Sequence, residues 1–154
     1  MEHISGLQVV KIFLNFSSIF YPVIIGGNDG QKDLNSSELV SFNQTKIGPQ
    51  LPIAVSYHCM VEFNASEILL IGGKQNQIVS KNTWVIGYSN NQFEFKDSAP
   101  MNQERRMHSC GRIVDKNGNI IILVGGGKDS HGNGLDSVEL LHLGKWTQSD
   151  GFDI

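Results

Sequence analysis

Leu69-Leu70-Ile71-Gly72-Gly73 is an apolar run that ends in a glycine pair, and the chain contains that pattern three times. The other two copies are Val23-Ile24-Ile25-Gly26-Gly27 and Ile122-Leu123-Val124-Gly125-Gly126, so the pairs open 46 and then 53 residues apart. A recurring unit of this size must bury a face against its neighbour, which makes the period a statement about architecture. The five-residue runs are too short to be read as helices, and apolar residues without alternation suit strands covered on both faces. Each such side chain contributes roughly 1.5–3 kcal/mol when fully buried.

Working outward, a strand is expected upstream of each run: Leu7 to Phe16, Tyr57 to Phe63 and Met107 to Val114. Short polar turns separate the two strands, and the third contains Asn117-Gly118, which predicts a type I′ hairpin. Polar loops follow the glycines. A third strand then aligns Leu39 with Val85 and Leu140, Val40 with Ile86 and Leu141, and Phe42 with Tyr88 and Leu143. Phe93 to Asp97 and Lys145 to Gln148 read as fourth strands, with Thr45-Lys46-Ile47 a weak counterpart. Pro49, Pro52 and Pro100 punctuate the passage between units. Pro22 inside the first run fits only a strand start or a bulge. No helix is expected.

The bulk properties agree. The chain has 154 residues with 40% hydrophobic and 18% charged side chains, enough for a core. Seventeen glycines favour a turn-rich β protein. A net charge of −3 provides no basic field for nucleic acid, so none is expected as a partner. Lys11, Asn15, Ser17, Ser18 and Pro22 interrupt the apolar stretch at residues 7–25, which argues against a membrane span. The Met-Glu-His start lacks the basic character of a signal peptide. Cys59 and Cys110 sit in corresponding parts of two repeats, each just after a histidine; they are expected as two small buried residues in a reducing compartment, with a bridge as the alternative. Four glycosylation sequons, at Asn15, Asn35, Asn43 and Asn64, support the contrary reading of a secreted protein.

Four strands per unit of about 50 residues, with a diglycine after the second, resembles the kelch-repeat family of β-propellers. Gly26, Gly27, Gly72, Gly73, Gly125 and Gly126 carry the resemblance, with Phe42 or Tyr88 in the third strand, Trp146 in the fourth, Pro100-Met101 closing the second unit, and His58 and His108 opening first strands. The first unit departs from the pattern, with Thr45 in the tryptophan column. The resemblance implies a single all-β region over residues 1–154 with about three four-stranded antiparallel blades, near 7–52, 53–102 and 103–152. Propellers close with 4–8 blades, so three blades imply an incomplete ring: a fragment, a truncated gene model, or a protomer that covers its open faces by self-association.

The chemistry expected of such a chain is recognition. Loops on one rim of the propeller bind a protein or peptide partner in the families it resembles, often with arginine against acidic groups. The candidates here are Arg105, Arg106, Lys74, Gln75, Asn76, Lys128, Asp129 and His131, with Asp29 and Lys32 nearby. His58 and His108 offer a pair of metal donors, but no third ligand recurs with them, and packing residues are the simpler reading. Gly125-Gly126-Gly127-Lys128 lacks the full phosphate-loop spacing. Glu38 and Glu139 share a column but belong to separate repeats. No catalytic residue, metal or cofactor is expected. A kelch-like oxidase, sugar isomerase or lyase is the alternative, although the ligand set of the kelch-like copper oxidases is not found. A cytoplasmic location is expected, with secretion as the alternative.

Overall fold

The computed structural model describes residues 8–13, 20–40, 44–90 and 92–149. Within them the chain is all-β and contains no helix. The first sheet is a meander of β1 (Gln8–Phe13), β2 (Phe20–Ile25), β3 (Ser37–Val40) and β4 (Thr45–Ile47). After the two-residue strand β5 (Val55–Ser56) comes the second sheet, made of β6 (Cys59–Glu62), β7 (Glu67–Ile71), β10 (Thr83–Ser89) and β11 (Gln92–Ser98). The loop between β7 and β10 holds β8 (Lys74–Gln75) and β9 (Ile78–Val79), which join β5 in a small three-stranded sheet. The third sheet is again a meander, of β12 (Ser109–Val114), β13 (Ile120–Gly125), β14 (Val138–His142) and β15 (Lys145–Ser149). All pairings between strands are antiparallel.

The repeat expected from the sequence is present in the register. Val23 pairs with Leu39, Leu69 with Val85, and Leu123 with Leu140. One step outward, Val40 meets Thr45, Ile86 meets Phe95, and Leu141 meets Trp146. Phe42 lies outside the described residues, as do the sequons at Asn15 and Asn43. Tyr88 lies in β10 opposite Phe93, with the two rings edge-on at 5.6 Å. Its supposed counterpart Leu143 is not in a strand. It turns the β14–β15 hairpin at φ 48° beside Gly144 at φ 78°, with 78% of its surface exposed. Two central residues at positive φ make this a type I′ turn.

The Asn117-Gly118 turn differs from expectation. Only Gly118 has positive φ there, at 85°. Gly118 N donates to Asp115 O, while the Asp115 carboxylate accepts from Asn117 N, Asn119 N and Asn119 Nδ2. The side chain of Asp115 organises a longer loop than two residues, in the manner of an Asx turn. Pro22 lies inside β2 opposite Lys11, and the pairing of β2 with β3 runs only over Val23–Ile25, so the missing N–H falls where that ladder has ended.

Neighbouring sheets pack face to face. Val23 and Ile25 of the first sheet form one core with Met60, Ile68, Leu70 and Ile86 of the second. On the opposite face of the second sheet, Leu69 and Ile71 form another core with Ile122, Val124, Leu141 and Trp146 of the third. Because successive strand residues point to opposite faces, all of Ile68–Ile71 is buried, which explains an apolar run with no alternation. β13 has the same composition but not the same surroundings. Ile122 and Val124 are buried, whereas Ile121 and Leu123 are half-buried on the other face, where Ile113 pairs with Ile121.

The turn glycines repeat to the hydrogen bond. Gly26, Gly72 and Gly126 donate through N to the carbonyls of Ser36, Asn82 and Ser137. The carbonyls of Gly27, Gly73 and Gly127 accept from the amides of Leu34, Ser80 and Leu135. All six have positive φ. The third structural pair is therefore Gly126-Gly127, one residue later than the sequence alignment places it. Gly125 is an ordinary extended residue of β13 paired with Ser109 and Val138.

Candidate interaction rim

The connections into the second and third sheets each pair with the loop that follows that sheet's own glycine pair. Ser56 in β5 pairs with Lys74 in β8, and in the next unit Arg106 pairs with Lys128 through reciprocal backbone bonds of 2.9 and 2.8 Å. Close approach makes the glycines necessary. A Cβ on Gly73 would stand 2.6 Å from Ser56 O and from His58 N, and one on Gly127 would stand 2.6 Å from Arg106 O. The pairing carries loops of successive units to one edge of the molecule.

That edge receives most of the loop residues singled out from the sequence. Lys128 and His131 are exposed, and Arg106 and Asp129 are half-buried. Asn133 bonds the Asp129 carboxylate through its side chain and its backbone N–H, holding it below the usual carboxylate range. Asn76, at φ 49°, locks its loop to the preceding connection: its N donates to Ala54 O, and its Oδ1 accepts from Ala54 N. Beside it, Ile78 presents an apolar side chain at the tip of the β8–β9 hairpin, 71% exposed. The Lys74 ammonium donates to Gln77 Oε1 at 2.9 Å and lies 3.9 Å from the Asp33 carboxylate. Backbone N–H groups of Lys32 and Gln31 lower the pKa of Asp29.

Two candidates are not surface residues. Gln75 is buried, and its Nε2 donates to Gly72 O. Arg105 is fully buried. Its Nη1 donates to the carbonyls of Gly126 and Ser137, and its Nη2 to Ser137 Oγ and Glu139 Oε1. Adjacent residues in an extended connection point in opposite directions, so Arg105 turns into the core while Arg106 turns toward the rim. Arg105, expected beside Arg106 as a partner-binding loop residue, is thus corrected to a core residue. Glu139, which shares a column with Glu38 of a separate repeat, is the buried partner; it also accepts from Asn102 N, Asn102 Nδ2 and Gln103 N.

Asp33 was missed by the sequence reading. It is buried and accepts from Asn28 Nδ2, Ser56 Oγ and Gln77 N, tying the loop of the first unit to that of the second. The available signal was its place in an Asn28-to-Asn35 loop rich in turn formers.

The histidines are core residues. Burial, with a contribution from the charge of His108, lowers His58 to about 3. Burial and then the Arg105 charge lower His108 to about 4, against a smaller opposite push from the carbonyls of Ile71 and Arg105. Both imidazoles are neutral at pH 7. Among the described residues no group of three or more His, Cys, Asp or Glu side chains is placed to hold a metal ion.

The cysteines depart from expectation. Cys59 and Cys110 form a disulfide that links β6 of the second sheet to β12 of the third. Cys59 stands opposite Ile71 and Cys110 opposite Val124, one position apart in the repeat, so the two side chains turn toward each other and the Cα atoms lie 6.0 Å apart, within the range a bridge requires.

Two open clefts lie away from the rim. One of about 590 Å³ is bounded by Pro49–Pro52 and by Gln92, Phe93 and Phe95. The other, of about 260 Å³, lies between Phe63 and the Gly118–Ile122 and Leu141–Gly144 segments. Neither lining includes an acidic or basic side chain, and Ser98 is the hydroxyl residue of the second. No helix among the described residues is long and apolar enough to cross a membrane. The chain matches no protein-family model and none of the curated proteins.

Proposed function

We propose that this chain is a kelch-type interaction module, its three meanders acting as successive propeller blades, and that it binds a protein or peptide partner through the rim formed by Lys74, Asn76, Ile78, Arg106, Lys128, Asp129 and His131. The observation that carries this reading is the repeated pairing of connection and loop, Ser56 with Lys74 and Arg106 with Lys128. It places adaptable polar side chains on a rigid backbone platform, beside an exposed apolar anchor at Ile78. Arg106 and Lys128 suit acidic groups on the partner, and loops on a rigid scaffold are where binding residues concentrate. The function is non-enzymatic in this reading.

The outer face of the third sheet, with exposed Ile113 and half-buried Ile121, Leu123 and Leu140, belongs to the same proposal. It repeats the kind of face that the second sheet buries against the third, and a further blade or a second copy of the chain would cover it.

Selection of a displayed peptide library on the purified chain tests the rim. Acidic peptides are expected, and Arg106→Ala with Lys128→Ala should weaken their capture at least tenfold at an unchanged melting temperature. Binders indifferent to both substitutions would refute the assignment.

A further inference from the structure

We infer that Asn64 carries an N-linked glycan and that the chain matures in an oxidising secretory compartment. Two independent features of the second sheet point there. The first is the Asn64-Ala65-Ser66 sequon itself, which forms the β6–β7 hairpin turn with all three residues exposed. Asn64 Oδ1 accepts from both Ser66 N at 2.9 Å and Ser66 Oγ at 3.3 Å, so asparagine and hydroxyl residue stand together at the tip of the turn. Asn64 Nδ2 donates one of its two hydrogens to Glu67 Oε2. Glycosylation removes one hydrogen and leaves the other, so this contact survives the modification. The second feature is the Cys59–Cys110 bridge, whose formation and persistence belong to oxidising compartments.

The covalent steps balance simply. Asn64 Nδ2 forms a bond to the anomeric carbon of an oligosaccharide carried on a lipid pyrophosphate; the bond from that carbon to the pyrophosphate breaks, and Nδ2 loses a proton. The two thiols of Cys59 and Cys110 lose two protons and two electrons to a disulfide-donating oxidant. Asn35 also heads a sequon, but its surroundings are different. It is half-buried between Leu51, whose carbonyl it faces, and Gln50, which donates to its Oδ1. A glycan there would displace the connection between the first and second sheets.

The test uses protein from its native source, alkylated and digested without reduction, then treated with peptide N-glycosidase in heavy-oxygen water. Asn64 is expected as heavy-labelled aspartate, Asn35 as unmodified asparagine, and Cys59 and Cys110 in one cross-linked peptide. An unmodified Asn64 overturns the proposal, as does recovery of both cysteines as alkylated thiols. A second arm expresses the chain behind an added secretion leader in eukaryotic cells. Ser66→Ala should remove one glycan's increment from the glycosidase-sensitive mobility shift at an unchanged melting temperature, and an undiminished shift in Ser66→Ala overturns the choice of site.

Discussion

Arg105 Nη2 donates to Glu139 Oε1 at 3.0 Å, and both side chains are fully shielded from solvent. The pair joins the connection leaving the second sheet to β14 of the third. The equivalent positions one unit earlier are apolar. Val55 stands where Arg105 does, since their carbonyls accept from Gly27 N and Gly73 N in turn, and Trp84 stands where Glu139 does, opposite Leu70 as Glu139 is opposite Val124. Val55 and Trp84 share the first core. One packing position is therefore filled in two chemically different ways, and the ionic version is tolerated because four donors converge on the carboxylate and the guanidinium finds two carbonyls.

Arg105→Ala strands a buried carboxylate and should cost about 3–5 kcal/mol, the usual range for breaking one side of such a pair. The double change Arg105→Met with Glu139→Leu should cost clearly less than the sum of the single changes. Urea denaturation of the three variants checks this. A single-variant loss below about 0.5 kcal/mol, as at an ordinary surface position, would mean that the pair is not closed in solution.

The glycine pair of the third unit gives a second expectation. Gly127→Ala should lower stability by about 1–3 kcal/mol, because φ is 91° and the new Cβ would stand 2.6 Å from Arg106 O. Gly125→Ala should be nearly neutral, since it is extended and its nearest neighbour, Val138 Cγ2, is 3.4 Å away. Thermal denaturation separates the two; the reverse order would restore Gly125-Gly126 as the structural pair.

Acid should weaken the fold well before the carboxylates titrate. His58 and His108 are held at about 3 and about 4 in the folded chain and have an ordinary value of 6.5. Between pH 6.5 and about 4 the unfolded chain binds protons that the folded chain does not. Their contribution is complete above about pH 6.5 and is lost as the pH falls through that window, by up to about 1.4 kcal/mol per unit for each histidine. Denaturation midpoints at pH 7.5 and 4.5 measure the loss, and His58→Gln should reduce it. Equal midpoints would place the imidazoles in contact with water.

Reduction of the Cys59–Cys110 bridge reopens a long loop between the second and third sheets, with a sequence separation of 51. Chain-entropy arguments put the loss at about 4 kcal/mol, and measured losses for native bridges span about 2–5. Cys59→Ala with Cys110→Ala should show the same drop by calorimetry. An unchanged melting temperature would contradict a bridge in the folded protein.

The strand order was legible because a register repeated across units constrains many positions at once: Leu39, Val85 and Leu140 fall in one column both in the alignment and in the hydrogen-bonded ladder. The glycine frame slipped by one in the third unit because three consecutive glycines look alike until backbone angles distinguish Gly125 from Gly127. The rim was legible in part. Lys128 and Arg106 meet there, as expected from where their segments emerge, but composition could not tell Arg105 from Arg106, since only the direction of each side chain separates a core cation from a surface one. The bridge was hidden for a similar reason: the corresponding places of Cys59 and Cys110 just after a histidine were visible, whereas the one-residue offset that turns them toward each other shows only in the strand register.

Hydrogen–deuterium exchange of the chain with and without a selected acidic peptide is the most direct test of the binding surface. The account predicts slower exchange at residues 74–79, 106–107 and 128–134 and little change along β10, β11, β14 and β15. Protection confined to the outer strands β11 and β15, with none at Arg106 or Lys128, would contradict it.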